Sequence, residues 1–471
     1  MEKPTIILAT SNGVGMGHLA RASAVALALK EVANPIIVSM AGGIAEVPSF
    51  MGIRCEYIPG KDRMWMSREK WDIYLRDRLL ALVEETNAKV LSFDGVVPYP
   101  GVIAAKNSNP NLKLVWVRRG LWQRKPQRFV LGLQSKMMDK VIEPGDIARA
   151  YDFGPTATRK DSVLTAPVSL FRKEDAMSRD EARRALGLDL NRPTALVQLG
   201  TGDSDVNEKV TAALSGLLGW KDLQIILTKA PVDKDGKSLA PEGLDLKVVR
   251  YFPLAKVLHA FDAGICATGY NGVHELLPAQ VPTVFVSNIR GTDDQEARAR
   301  WCNDFGFALR ADQANLADIT EKVKRLQDPD VRKRLSDKCA ELPNTTGGQE
   351  IAAMLYELAV EQKPVRTKTF TFTRLMVQEH INRGLRHVAN LGLRRLALIY
   401  RFLHPHIRVQ EISLEPPIFG DQTAAADLHP LIKSATRYEH LIEGASLDYR
   451  KRREEIAFAA YGKELVVTKS K

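Results

Sequence analysis

Cysteine is scarce: four stand in 471 residues, at Cys55, Cys266, Cys302 and Cys339, and none forms a C-x-x-C pair. With nine dispersed histidines they supply no metal-ligand spacing, which argues against a structural zinc site and a disulfide scaffold. Long apolar runs are missing as well. No segment approaches the ~18 apolar residues of a membrane span. The first run, Thr5 to Ala9, is too short for a signal-peptide core. These absences lead to the expectation of a cytoplasmic protein with buried free thiols. Low-complexity tracts are also lacking. At 45% hydrophobic and 26% charged the composition is that of a folded chain, and 471 residues exceed what one core serves, so two or three domains are expected. Acid is nearly absent from one stretch: between Arg366 and Arg408 nine Arg or Lys face a single acid, Glu379. From Val365 onward 18 Lys and Arg stand against 11 Asp and Glu, a net +7 of the chain's +11. Such asymmetry speaks about partners, not about fold.

What is present is alternation. Thr5–Ala9, Ile36–Met40, Val90–Phe93 and Leu114–Val117 read as buried strands, with His18–Lys30 and Arg68–Thr86 as helices between them. Continuous apolar strands alternating with helices imply a parallel sheet covered on both faces. Ser178-Arg179-Asp180-Glu181 opens a short helix by cap chemistry. Then the alternation restarts: strands at Ala195–Leu199, Gln224–Thr228, Leu246–Val249, Gly264–Ala267 and Thr283–Val286, and helices at Asp205–Leu218, Gly272–Leu277, Asp293–Asp304 and Asn315–Gln327. A last helix, Gly348–Gln362, ends at Lys363-Pro364. The reading is α/β throughout, with a first domain over 1–165, a second over 166–364, and a basic, mainly helical extension over 365–471.

Two loops carry chemistry. Strand one runs into Gly13-Val14-Gly15-Met16-Gly17-His18, where Gly15 and Gly17 let the backbone come close to a ligand at a helix start. A dinucleotide fingerprint would need G-x-G-x-x-G and an acid about twenty positions on. Here the spacing is G-x-G-x-G and strand two ends Val38-Ser39-Met40-Ala41-Gly42 without an acid, so a nicotinamide cofactor is set aside. His18 could be a plain helix-start residue. At the carboxyl end of a strand facing a cleft, however, its imidazole could take a proton from a hydroxyl.

The second loop follows the strand ending at Ala267. Thr268-Gly269-Tyr270-Asn271-Gly272-Val273-His274-Glu275 passes from a tight turn into a helix whose first amides can face a diphosphate. Glu275, one turn in, can accept from two ribose hydroxyls. Asp294-Gln295 open a later helix where sugar hydroxyls could be gripped. Taken singly, Asn271 is a cap, Glu275 a solvated helix residue and Asp294 a dipole partner. Their joint spacing behind predicted strands favours a site.

These residues resemble the donor signature of UDP-sugar glycosyltransferases, H-C-G-W-N-S-x-x-E-x-x-x-x-G-V-P followed by D-Q-x-x-N-A. The Gly13–His18 loop is similar to the G-x-G-G-H loop of MurG-like enzymes. The resemblance covers roughly residues 5 to 360 and implies a GT-B fold, two Rossmann-like domains facing a cleft. It implies an inverting hexosyltransferase that takes a nucleotide sugar, a UDP-sugar, as co-substrate and holds no resident cofactor or metal. Carried over by residue, it implies Asn271 and the Gly272 amide on the diphosphate, with Thr268 and Gly269 in the same turn. Glu275 would hold the ribose and Asp294 with Gln295 the donor sugar. Thr201-Gly202 would form a second phosphate-side loop, Phe252 would line the base, and His18 would be the general base. Ala267 replaces a phosphate-binding His of many relatives, Gly272 a Ser or Thr, Gln280 a turn glycine, and Arg298 the terminal Asn. Gly-x-Gly-His-x-x-Arg, ending in Arg21, also resembles UDP-sugar hydrolases, which would use the same donor site.

The expected acceptor is a hydroxyl, on a glycan or a lipid-linked carrier. Leu375, Met376, Ile381, Leu385, Val388, Leu391 and Leu396 lie among arginines at helical spacing. They suit helices docked on the core, or a surface for anionic lipid at the inner face of a membrane. Nucleic acid is the least favoured partner. Arg63-Met64-Trp65-Met66 with Arg68, Lys70 and Trp71 is a second basic–aromatic site. A non-catalytic binder working through the basic tail is the reading from a different class.

Overall fold

The computed structural model describes residues 2–11, 16–40, 47–61, 66–123, 128–200, 204–228, 241–249, 251–288, 292–361 and 368–384. Two wholly parallel sheets organise them. The first has seven strands, β1 (Thr5–Thr10), β2 (Asn34–Ser39), β3 (Arg54–Tyr57), β4 (Val90–Asp94), β5 (Lys113–Val117), β6 (Lys140–Glu143) and β7 (Val163–Leu164). The second has six, β8 (Thr194–Gln198), β9 (Gln224–Leu227), β10 (Asp245–Val248), β11 (Ala263–Ala267), β12 (Thr283–Val286) and β13 (Leu309–Ala311). Their orders are β3-β2-β1-β4-β5-β6-β7 and β10-β9-β8-β11-β12-β13, the same winding used twice. In each sheet the order reverses beside the first strand, so β1 lies against β4 and β8 against β11. Ligands of open parallel sheets bind at that reversal, outside the strand carboxyl ends.

The strands are continuous apolar runs because both faces are covered. Alternate residues of β1 serve opposite layers. Ile7 and Ala9 pack with Trp71 and Leu79 of α2 (Arg68–Thr86) and with α3 (Pro100–Ser108). Ile6 and Leu8 pack with Leu19 and Val25 of α1 (Gly17–Leu29). Helix α4 (Arg128–Met137) completes the first half. Ser67 caps α2 by accepting from the Lys70 amide, and Ser178 with Glu181 forms a full capping box on α5 (Arg179–Leu186). The second half adds α6 (Ser204–Leu217), α7 (Tyr270–Leu276), α8 (Gln295–Asp304), α9 (Leu316–Lys324) and α10 (Pro329–Cys339).

The chain then crosses back. Helix α11 (Gly347–Val360) falls within the expected second domain, yet Ile351, Ala352 and Leu355 pack into the first half's core beside α1. Its apolar face meets the matching face of α1, so burial of that stripe assigns it to the first half. At the crossing point the Gly347 amide donates to the Pro167 carbonyl at 3.1 Å, and a Cβ on Gly347 would lie 2.0 Å from the Ala166 oxygen. Only glycine fits there. Helix α12 (Thr369–Gly384), the first of the basic extension, also docks on the first half, against α3 and α4, burying Phe372, Leu375 and Met376 in that layer's core. The rest of the extension, 385–471, lies outside the described residues, as do Arg63, Met64 and Trp65. No helix among the described residues is long and apolar enough to cross a membrane.

Candidate active site at the seam of the two sheets

The reversal point of the first sheet holds a charged cluster. β1 leads through its loop into α1, whose second residue is His18, while the neighbouring strand β4 ends on Asp94. His18 Nδ1 lies 2.7 Å from Asp94 Oδ1. Arg21, one turn into α1, grips the same carboxylate with Nε 3.0 Å from Oδ2 and Nη2 2.7 Å from Oδ1. Burial by itself would raise the Asp94 carboxyl, but the Arg21 charge and the His18 and Arg21 bonds outweigh it and hold the group at about 2. Burial pushes His18 below its ordinary value. The Asp94 bond and charge work against that push, while the Arg21 and Arg119 charges reinforce it. The imidazole is therefore neutral at pH 7, the state a proton acceptor needs.

The reversal point of the second sheet faces it. Thr268 is fully buried, Gly269 is the N-cap of α7, and Asn271 donates from Nδ2 to the Gly17 carbonyl of the first half at 3.1 Å. Its Oδ1 and the Thr268 hydroxyl are buried without a hydrogen-bond partner among the described residues. Glu275 follows Asn271 by one turn and so shares its face. That carboxyl has no partner among the described residues, and burial pushes it up to about 8. A partnerless carboxyl beside two orphaned polar oxygens is what a site awaiting hydroxyl donors looks like.

The neighbouring face of α7, Tyr270 and His274, is structural. Tyr270 donates from its hydroxyl to the Gly145 carbonyl at 2.7 Å and accepts from the Val168 amide at 2.9 Å. His274 is buried, its Nδ1 2.7 Å from the Tyr270 carbonyl and its Nε2 accepting from the Ile147 amide at 3.1 Å. Burial drives its pKa down to about 4, so it is neutral and serves as a peg between the halves. Beside it Arg298 is fully buried. It reaches Asp146 of the first half with Nε at 3.1 Å and Nη2 at 2.8 Å, Asp293 at 3.0 Å and the Thr268 carbonyl at 2.7 Å. Burial opposes the Arg298 charge, but Asp146 and Asp293 more than compensate and raise its pKa. Arg119 adds a second cation on Asp293 at 3.3 Å.

The remaining expected residues divide. Asp294 caps α8, accepting from the Ala297 amide at 2.9 Å, while its own amide donates to Leu121 of the first half at 3.0 Å. Gln295 is buried, its Oε1 taking the Asn288 amide at 2.9 Å, and its amide nitrogen has no partner among the described residues. Gly17 and Gly272 lie at the seam, where a Cβ on Gly17 would meet nothing within 4 Å. Phe252 is packed in the apolar cluster of α1 and α11 and presents no open ring for a base. Gly15, Thr201 and Gly202 lie outside the described residues. Sequence reasoning missed Asp94, Asp146 and Arg119, saw in Arg298 only a departure from a pattern, and took Arg21 as part of a hydrolase-like motif without giving it a role. The available signal for Asp94 was its place, an acid closing an apolar strand.

No family model matches the chain. Over 173 residues, 36% of this chain and 47% of the relative, it is 32% identical to a UDP-N-acetylglucosamine--N-acetylmuramyl-(pentapeptide) pyrophosphoryl-undecaprenol N-acetylglucosamine transferase of a Nocardioides species. Over 288 residues, 58% of this chain and 74% of the relative, it is 28% identical to the protein of that name from Cutibacterium acnes. The match spans about half the length of the first relative and about three quarters of the second. Among solved structures, MurG of Acinetobacter baumannii superposes with a TM-score of 0.50 at 18% identity, covering 75% of this chain and 99% of that one. The chain resembles MurG-like glycosyltransferases in sequence, and its fold is GT-B.

Proposed function

We propose that this protein is an inverting glycosyltransferase that moves a sugar from a nucleotide diphosphate donor, a UDP-sugar, to a hydroxyl of a lipid-linked glycan of the cell envelope. The observation that carries the reading is the meeting of the two reversal points: His18, neutral and backed by Asp94, stands one residue from Gly17, whose carbonyl is bonded by Asn271 on the Asn271–Glu275 face. Glu275 accepts from the ribose hydroxyls, Asn271 and the Gly272 amide lie along the diphosphate, and Asp294 with the free Gln295 amide meets the sugar. Thr201 and Gly202 complete the phosphate side. The acceptor hydroxyl gives its proton to His18 Nε2 as its oxygen attacks C1. The C1–oxygen bond to the diphosphate breaks on the opposite side, and the nucleotide leaves with the bonding pair. Asp94 stabilises the imidazolium so formed. Relatives named for a UDP-sugar donor and a pyrophosphoryl-undecaprenol acceptor support the two substrate classes.

The reaction runs without metal in this reading. Asp293 is engaged by Arg119 and Arg298, and the Asp294 carboxylate caps α8, so the acids nearest the sugar side have other work. Turnover is expected to persist in chelator. A lipid-linked acceptor also gives α12 a purpose at the inner face of a membrane. That helix turns Phe370, 82% exposed, together with Arg374 and Val377 away from the core, an apolar and cationic edge on the acceptor-side half. Co-sedimentation with anionic but not neutral vesicles is expected, and loss of it in Phe370→Ser. The central test is calorimetric titration with UDP-, GDP- and dTDP-sugars. Saturable binding of one class, weakened in Glu275→Ala, is the expected result; absence of saturable binding by all three sinks the proposal.

A further inference from the structure

His18 Nδ1 has two close neighbours that cannot both be its hydrogen-bond partner. Asp94 Oδ1 is 2.7 Å away and Arg21 Nη2 is 2.9 Å away. A proton on Nδ1 donates to the carboxylate; a bare Nδ1 accepts from the guanidinium. The bare form would press an imidazole lone pair against an anionic oxygen at 2.7 Å with no proton between them, so the proton sits on Nδ1. Arg21 then turns Nε to Asp94 Oδ2 and Nη2 to Oδ1, a fork that fixes the plane of the carboxylate. The small cavity next to Arg21 and Asp94, about 10 Å³, is walled mainly by Leu8, Val25, Val117, Val168 and Ile351, and Ser92 is its one further polar side chain among the described residues.

Arg21 is itself held from across the seam. Its guanidinium lies 5.1 Å from the centre of the Tyr270 ring. Tyr270 belongs to the second half, and its hydroxyl is fixed at both ends, on Gly145 after β6 and on Val168 in the connection between the halves. We propose that Arg21 is a positioning residue that aims Asp94 at His18 Nδ1 and thereby leaves His18 Nε2 bare, and that Tyr270 clamps Arg21 in this pose only when the two halves are docked. The base is thus assembled by closure of the molecule and is not complete in the first half alone. This rests on the reading of His18 as the base.

Among the described residues the charged groups acting on His18 are Asp94 on β4, Arg21 on its own helix and Arg119 beyond β5; Tyr270 lies across the seam against Arg21, and Asp293 behind Arg119. Asp94 alone favours imidazolium; the two guanidinium charges oppose it. Removing Arg21 therefore has a defined direction: His18 must titrate at higher pH.

The test is long-range ¹H–¹⁵N spectroscopy of histidine-labelled full chain, with His18 assigned through His18→Gln. In the wild type, His18 is expected neutral at pH 7 with its proton on Nδ1. In Arg21→Met its midpoint moves to higher pH, in Arg21→Lys it moves less because the charge is kept, and Tyr270→Leu moves it in the same direction. A proton on Nε2 in the wild type, or an unmoved or lowered midpoint in Arg21→Met, overturns the proposal. Should Arg21→Met not fold, Arg21→Lys and the wild-type tautomer decide in its place: an Arg21→Lys midpoint at or below the wild-type value overturns it. A purely structural Arg21 would lower the melting temperature without moving the midpoint. The readout needs no substrate, so absence of sugar transfer would count against the function while leaving this result standing.

Discussion

The two halves wind their sheets in the same order and put their reversal points face to face, yet they load those points differently. The first half gathers charge: His18, Arg21 and Asp94 hold one another, and Arg119 is held by Asp293 from across the seam. The second half offers a turn of Thr268 and Gly269, the amide of Asn271 and a single carboxyl, Glu275, that has no partner among the described residues. A side chain that must move a proton needs its charge environment built in advance, and the Arg21–Asp94–His18 array supplies it. A surface that binds a diphosphate and a ribose needs hydrogen-bonding groups left open until the ligand arrives. One winding thus serves a pre-organised site and a receptive one, and the difference lies in side chains at four strand ends.

That division can be broken from either side. The largest effect should come from His18→Ala, which is expected to lower turnover ~10²–10⁴-fold while leaving donor affinity in place. Steady-state kinetics beside calorimetry would check it, and full activity would move the chemistry out of the first half. Next is Arg298→Ala. Removing it leaves Asp146 buried with no guanidinium on it, a loss of about 3–5 kcal/mol in chemical denaturation. A loss below about 1 kcal/mol would mean that the seam is held by its apolar contacts instead. Glu275→Ala is smaller, weakening donor binding by ~1–3 kcal/mol with turnover at saturating donor nearly kept. The wild-type carboxyl also predicts a pH dependence. With its pKa at about 8 in the free fold, Glu275 is protonated at neutral pH, and accepting from ribose hydroxyls favours the ionised form. Donor binding should release a proton, and affinity should rise with pH up to about 8. Glu275→Gln should flatten that slope. The same shift makes the fold lose stability as pH climbs from the ordinary carboxylate range through about 8, because the unfolded chain ionises Glu275 and the folded one resists.

Much of this was legible in the residues. The buried strands β1, β4, β5, β8, β9, β11 and β12 announce themselves as apolar runs, and α2 begins and ends where its cap and pattern say. Strand β3, Arg54-Cys55-Glu56-Tyr57, does not, because it is the edge strand of its sheet and carries charge. Short β6 and β13 are hidden between charged residues for a similar reason. His18, Asn271 and Glu275 stood out because spacing from a strand end is a local property. Asp94 and Arg119 did not, since their meaning depends on which strand lies beside which. For Phe252 the family position pointed to the region lining the base, while its burial in the cluster of α1 and α11 is a tertiary fact that no local pattern announced.

Local sequence determined the parallel α/β character, the repeat of two halves, the helix caps and the two strand-end loops, because hydrophobic period, turn chemistry and capping act over a few residues. The tertiary structure alone decided that α11 and α12 belong with the first half, that Arg298 crosses the seam to Asp146, and that Tyr270 lies over Arg21. Those pairings join residues separated by up to hundreds of positions, and they are stable only because a charge or an apolar stripe buried by one half must find its complement on the other.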